Sequence, residues 1–160
     1  MVSIGDKFPD IDIFTFNDEG PQKINTGSEV ADKKIVLFAV PGAFTPTCHM
    51  THLPGFVKNI DPIKAKGVDE VICVSANDAF VMKAWAEASD AMTAIKFWAD
   101  GNAELAKALD LVLDGSGFGL GTRLSRFSMI VDKGVITALN VEDTPGTADV
   151  SGADAILQQL

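Results

Sequence analysis

A chain of 160 residues and 16.9 kDa fits one domain of ordinary size, 1–160. It is long enough to bury roughly 70% of its unfolded surface without a disulfide or metal staple. Its 13 basic and 22 acidic residues leave a net charge of -9 and a pI near 4.5, which argues against a nucleic-acid module and against a polybasic membrane binder. Two cysteines exclude a disulfide-rich secreted scaffold. No apolar run approaches the ~18 residues of a membrane span, and Met1–Phe8 has no charged stretch followed by an apolar one. A reducing cytoplasm is therefore the expected location.

Residues 1–33 read as irregular and hairpin-like: Ile11 and Ile13 alternate with Asp10 and Asp12, and Asn17-Asp18-Glu19-Gly20 signals a turn. Lys34–Val40 is a near-continuous apolar run of β-formers, the pattern of a strand buried on both faces, and Pro41-Gly42 ends it. Thr45 is an expected N-cap with Pro46 at the first helical position, opening a helix that runs towards Lys66, closes at Gly67 and is kinked by Pro54. Val68–Ser75 is a second buried strand. Asn77 is expected to cap the next helix, with Phe80, Val81, Ala84, Trp85 and Ala88 as its apolar stripe. A weaker strand at Ile95–Ala99 precedes a short helix at Asn102–Leu109. Phe127–Val131 and Val135–Val141 flank Asp132-Lys133-Gly134 as a hairpin. Ser151 with Asp154 resembles a capping box opening a last helix that buries Ile156, Leu157 and Leu160.

This order predicts an α/β domain whose mixed central sheet, a parallel βαβ core plus an antiparallel hairpin, is flanked by helices. A thioredoxin-like fold has this order.

Pro41-Gly-Ala-Phe-Thr45-Pro-Thr-Cys48 joins the carboxyl end of a buried strand to the start of a helix, where open α/β sheets place their ligands. Cys48 falls in the first helical turn, where unpaired N–H groups and the positive end of the helix dipole favour a thiolate over a thiol. An ordinary free thiol is already roughly 3% ionised at neutral pH, so full ionisation gains only about thirtyfold. Any larger acceleration must come from groups that meet charge in the transition state. Thr45, the Cys48 N–H and an arginine, Arg123 or Arg126, are the candidates.

Other readings of these residues stand beside that one. A free cysteine is often a small buried hydrophobe, and Cys73, between Ile72 and Val74 in mid-strand, fits that description. Cys48 and His52 are four apart and share a helix face. They could bind a metal, but a structural zinc needs four ligands and the chain has only two cysteines and two histidines, His49 and His52. His52 could also act as the base of a cysteine hydrolase, or it could simply hydrogen-bond nearby and tune the site.

Residues 41–56, PGAFTPTCHMTHLPGF, closely resemble the active-site signature of peroxiredoxins in the form of the peroxiredoxin-five and plant type II subfamily. The resemblance continues through residues 71–86, 97–114, 119–142 and the closing helix. It implies a thioredoxin fold and a thiol peroxidase that reduces hydrogen peroxide and alkyl hydroperoxides without metal or organic cofactor. Cys48 would be the peroxidatic cysteine, Thr45 would hydrogen-bond the peroxide, Pro41 would shield the sulfur from water, and Arg126, by its RFSM context, would be the active-site arginine. Arg123, His52 and Phe44 would be secondary contributors to substrate binding. A homodimer is expected, with Phe44 and Phe80 as a plausible contact, against the simpler reading that Phe44 packs on its own domain.

The chain departs from animal peroxiredoxin-five proteins, which carry a resolving cysteine near the C-terminal helix where this sequence has Ser151. The Cys48–Cys73 spacing is that of the plant type II pattern, reduced by glutaredoxin, glutathione or thioredoxin. Cys73 as a resolving thiol would need local unfolding to reach the helix start. The expectation is therefore a one-cysteine cycle completed by glutathione and glutaredoxin ahead of thioredoxin. Two rivals from other classes are a peroxide sensor or relay oxidised at Cys48 and a holdase indifferent to Cys48 alkylation. A dithiol reductase is disfavoured because Thr45 and Thr51 stand where a Cys-x-x-Cys partner would be.

Overall fold

A computed structural model describes residues 1–160. Its organising element is the apolar run at Lys34–Ala39 (β3), buried at every residue after the first, as a strand covered on both faces must be. β3 pairs in parallel with Glu70–Ser75 (β4), which pairs in parallel with Lys96–Ala99 (β5). On its other side β3 runs antiparallel to Phe127–Asp132 (β8), which turns through Lys133-Gly134 into Val135–Val141 (β9). Both turn residues have positive φ, the geometry a two-residue hairpin needs. The hairpin of Asp12–Asn17 (β1) and Gly20–Asn25 (β2) closes the far edge against β5. The sheet therefore has seven strands in the order β2-β1-β5-β4-β3-β8-β9.

Because side chains alternate across a strand, this sheet builds two cores. Val36, Phe38, Cys73 and Phe97 face one cluster, which also holds Cys48 and the buried residues of Leu53–Lys58 (α2), Ile60–Ala65 (α3), Ala79–Ala88 (α4) and Ala153–Gln159 (α6). Ile35, Leu37, Ile72, Val74 and Trp98 face the other, which is covered by Glu104–Leu109 (α5), Phe8 and Val30. The result is the expected mixed sheet between helical layers. No helix is long and apolar enough to cross a membrane.

Several local expectations are corrected. A short helix, Thr26–Val30 (α1), and a separate two-stranded ribbon, Val112–Asp114 (β6) with Thr122–Leu124 (β7), were not anticipated. Asp78, not Asn77, caps α4 by accepting from Val81 N–H. Asn77 is occupied elsewhere: its Oδ1 accepts from the Ala43 N–H and the Ser75 hydroxyl, tying the loop after β3 to the end of β4. The face of α4 that meets the core carries Ala79, Met82, Trp85 and Ala86, while Phe80 is 70% exposed. Gly152, not Ser151, precedes α6, and Ser151 instead gives its N–H and hydroxyl to the Glu142 carboxylate. Ile156 is buried as expected, while Leu157 and Leu160 are only partly covered.

The helix expected from Thr45 to Lys66 exists in pieces. Residues Cys48–His52 form a π-turn in which the Leu53 N–H reaches back to the Cys48 carbonyl. Pro54, which lacks an N–H and whose ring crowds the preceding turn, follows directly in α2. The wider turn is how the chain carries this proline without ending the helix. Asn59 then separates α2 from α3, and Gly67 at φ +91° closes the segment.

Candidate active site

Cys48 sits where β3 hands over to its helix. Its backbone N–H has no acceptor in the chain, and the next residue, His49, is the first to bond back, to the Thr45 carbonyl at 2.9 Å. Its side chain is fully buried. Two groups meet the sulfur: the Thr45 hydroxyl at 3.0 Å and Arg126 Nη2 at 3.0 Å. Thr45 also lies 2.7 Å from the Gly42 carbonyl. It has one hydroxyl hydrogen for these two neighbours. With a thiol at Cys48 that hydrogen belongs on Gly42, and with a thiolate it turns to the sulfur.

Arg126 enters from the residue before β8. Its Nε and Nη2 donate to the Pro145 carbonyl at 3.2 and 3.0 Å, and its Nη1 lies 3.0 Å from His52 Nδ1. It is 3% exposed and makes no ion pair with a carboxylate. A buried guanidinium with only neutral acceptors around it is an electrostatic seat for an anion, and the sulfur it touches is in that seat.

His52 does not reach the sulfur. Its Nε2 lies 2.9 Å from the Ser151 carbonyl, and its ring packs at a tilt against the stacked rings of Phe38 and Phe56, at 5.1 and 5.6 Å between centroids. Burial, with the Arg126 charge adding to it and the Ser151 hydrogen bond opposing it, lowers its pKa to about 4. The guanidinium stands between Cys48 and His52, so the pair is not arranged to share a metal or to pass a proton directly.

Arg123 also does not touch the sulfur. It clasps the loop, donating through Nη1 to the Pro41 carbonyl at 3.2 Å and through Nε to Leu120 at 2.8 Å. A side chain at Gly42 would come within 3.0 Å of that guanidinium, so the glycine permits the clasp. Phe44 carries φ +63°, an uncommon conformation for a bulky residue. Its ring tilts against His49, 5.9 Å between centroids, and His49 Nδ1 accepts from the Trp85 indole.

A cavity of about 310 Å³ opens over this arrangement. Pro41, Thr45 and Arg126 line it together with Phe118, Leu120 and Pro145, so both groups that touch the sulfur border the cavity. Phe44, His52 and Arg123 do not border it. Cys73 lies in β4 between Phe38 of β3 and Phe97 of β5, fully buried and unbonded to Cys48, and burial pushes its thiol well above the usual range. Pro145, Ser151, Glu142 and Asn77 are site-building residues that sequence reasoning missed. Most act through backbone atoms or partners far along the chain, and a Thr-Pro-Gly turn at 144–146 was the only local signal.

The Redoxin family profile matches residues 3–157. The chain is 47% identical over 161 residues to Peroxiredoxin-2B of Arabidopsis thaliana and 46% identical over 160 residues to Peroxiredoxin-2C of Oryza sativa, covering 99% of this chain and 98% of each relative. Among solved structures, reduced Prx3 from Vibrio vulnificus in complex with hydrogen peroxide superposes with a TM-score of 0.93 at 49% identity, over 99% of this chain and 98% of that one. The oxidised form of that protein gives 0.91 at 49% identity over all of both chains. The fold is thus thioredoxin-like, as its element order implied. Nearly full coverage at this identity shows that the chain belongs to the peroxiredoxins, the thiol-dependent peroxidases of the Redoxin family.

Proposed function

We propose that Cys48 is the peroxidatic residue, that it reduces hydrogen peroxide and alkyl hydroperoxides, and that glutathione with glutaredoxin completes the cycle. The observation that carries this reading is the pair of donors at 3.0 Å on Cys48 Sγ, one of them a buried guanidinium with no carboxylate partner. The thiolate attacks one peroxide oxygen along the O–O axis. An S–O bond forms as the O–O bond breaks, sulfur loses two electrons, and the departing alkoxide or hydroxide takes a proton to leave as alcohol or water. Charge leaves the sulfur and gathers on the departing oxygen. Thr45 and Arg126, which border the cavity beside the sulfur, and the free Cys48 N–H are the donors available to that oxygen, and donation to it acts on the transition state more than on the ground state. Pro41, held by Arg123, shields the sulfur from water.

The resulting sulfenic acid needs a second thiol. Cys73 has no path to solvent and lies within the sheet, which supports resolution by an outside thiol. The cavity's proline, leucine and phenylalanine walls suit the alkyl part of an organic hydroperoxide. Phe44 and Phe80 are exposed on linked segments, since Asn77 bonds Ala43 just ahead of α4, and this supports a homodimer contact. A reducing cytoplasm, where free thiols persist, is the setting this cycle requires. The test is peroxide consumption with the glutathione–glutaredoxin and thioredoxin systems in parallel. Sustained turnover with the first is expected, and turnover with thioredoxin alone would assign the reductant differently.

A further inference from the structure

The groups around Cys48 include one whose chemistry the proposed reaction does not use. We infer that His52 is a positioning residue: its Nδ1 lone pair fixes the Arg126 guanidinium on the Cys48 sulfur, and the Ser151 carbonyl fixes His52. This deepens the reading of Arg126 given above and rests on it.

The hydrogen-bond partners leave His52 one arrangement. Arg126 has only donors, so the ring nitrogen facing Nη1 at 3.0 Å must accept. The Ser151 carbonyl has only lone pairs, so the nitrogen facing it at 2.9 Å must carry the hydrogen. His52 is therefore the neutral Nε2–H tautomer. Protonated, it would set an N–H against a guanidinium N–H, and that contact would open. The lowered pKa of about 4 agrees with this geometry.

Arg126 needs that acceptor. Pro145 holds the Nε–Nη2 edge of the fork, and the Nη1 edge would have no fixed partner without His52. Rotation about that single anchored edge would leave Nη2 in place but swing its second N–H out of line with the sulfur. His52 is steadied in turn. Its ring packs against the stacked pair Phe38 and Phe56, and Ser151 is pinned through its N–H and hydroxyl to Glu142 Oε1, both at 2.8 Å. The charged groups facing the imidazole are Arg126 and, at longer range, Glu142. A continuous chain thus runs from the segment after β9 to the reactive sulfur: Glu142, Ser151, His52, Arg126, Cys48.

The test is a double-mutant cycle on the rate of Cys48 oxidation by hydrogen peroxide, measured by stopped flow on the full chain. His52→Phe keeps the ring and removes both nitrogens, and it is expected to slow oxidation by about tenfold or more, since a small misplacement of a reacting group is that costly. His52→Asn, which returns an acceptor near the Nδ1 position, is expected to recover most of that loss. In an Arg126→Ala background His52→Phe is expected to change the rate by less than about twofold, a non-additivity that a merely structural role would not produce. If the Phe variant shows no cooperative thermal transition, His52→Gln takes its place, keeping a donor for Ser151 while lacking the acceptor. A folded His52→Phe or His52→Gln chain with the wild-type rate overturns the inference, and so does an equal loss with and without Arg126. An Arg126→Ala chain that oxidises at the wild-type rate overturns the reading of Arg126 itself.

Discussion

Arg126 Nη2 lies 3.0 Å from the Cys48 sulfur, and no carboxylate shares that guanidinium. A carboxylate there would neutralise the charge before a peroxide arrived. Its absence leaves the sulfur, or the oxygen departing from it, as the anion the arginine meets.

Replacing that arginine should be the most damaging change short of losing Cys48. Arg126→Ala is expected to slow peroxide reduction by about 10²–10³-fold, the usual loss when a donor to developing negative charge is removed. Arg126→Lys should recover little, because one ammonium cannot hold Pro145, His52 and the sulfur in a fixed plane. Stopped-flow oxidation of the two variants checks this. A lysine chain near the wild-type rate would mean that charge alone suffices.

Arg123 is expected to behave differently. It touches the loop and not the sulfur, so Arg123→Met should free the Pro41 carbonyl and slow peroxide reduction by about tenfold or less. Comparing the two arginine variants under one assay separates loop support from direct contact. A loss from Arg123→Met as large as that from Arg126→Ala would place Arg123 in the reaction.

How much of this was legible in the sequence differs from element to element. β3, β4 and the β8–β9 hairpin were readable because buried strands and tight turns declare themselves locally, through apolar runs and Lys133-Gly134. Thr45 and Cys48 were readable for the same reason, since three residues of one loop set their relation. Asn77, Ser151 and Phe80 were misread because tertiary partners decide their roles. Ala43 and Ser75 claim Asn77, Glu142 claims Ser151, and the core takes the Met82–Trp85–Ala86 face of α4, which leaves Phe80 on the side turned to solvent. The π-turn at Cys48–His52 was not foreseen either. Pro54 announced a disturbance, but whether a helix kinks or widens depends on what packs against it, here Leu53 and Phe56 in the core.

His52 links the site to stability as well as to rate. Its folded pKa of about 4 lies below the unfolded value of 6.5, so both states are neutral above that higher value and its contribution is then fully present. As pH falls the unfolded chain takes up the proton first, and stability is lost through the interval down to about 4. The loss between about pH 7.5 and pH 5 should be about 2 kcal/mol. Urea unfolding at the two pH values measures it, and His52→Phe should flatten the difference. An unchanged slope in that variant would move the effect to another group.

Cys73 offers a contrast within the same cluster. Cys73→Ala should keep most turnover with glutathione and glutaredoxin. Cys73→Ser should do the same but lower the melting temperature more, because a hydroxyl between Phe38 and Phe97 costs about 1–3 kcal/mol when it finds no partner. Thermal melts and turnover on both variants test this. Loss of turnover in the alanine variant would make Cys73 part of the cycle.

The most direct measurement is intact and peptide mass analysis of the reduced protein after one equivalent of hydrogen peroxide and no added thiol, quenched with dimedone. One dimedone adduct on Cys48 and an unmodified Cys73 thiol are the predicted result. A Cys48–Cys73 disulfide, or oxidation that leaves Cys48 a free thiol, would contradict the account.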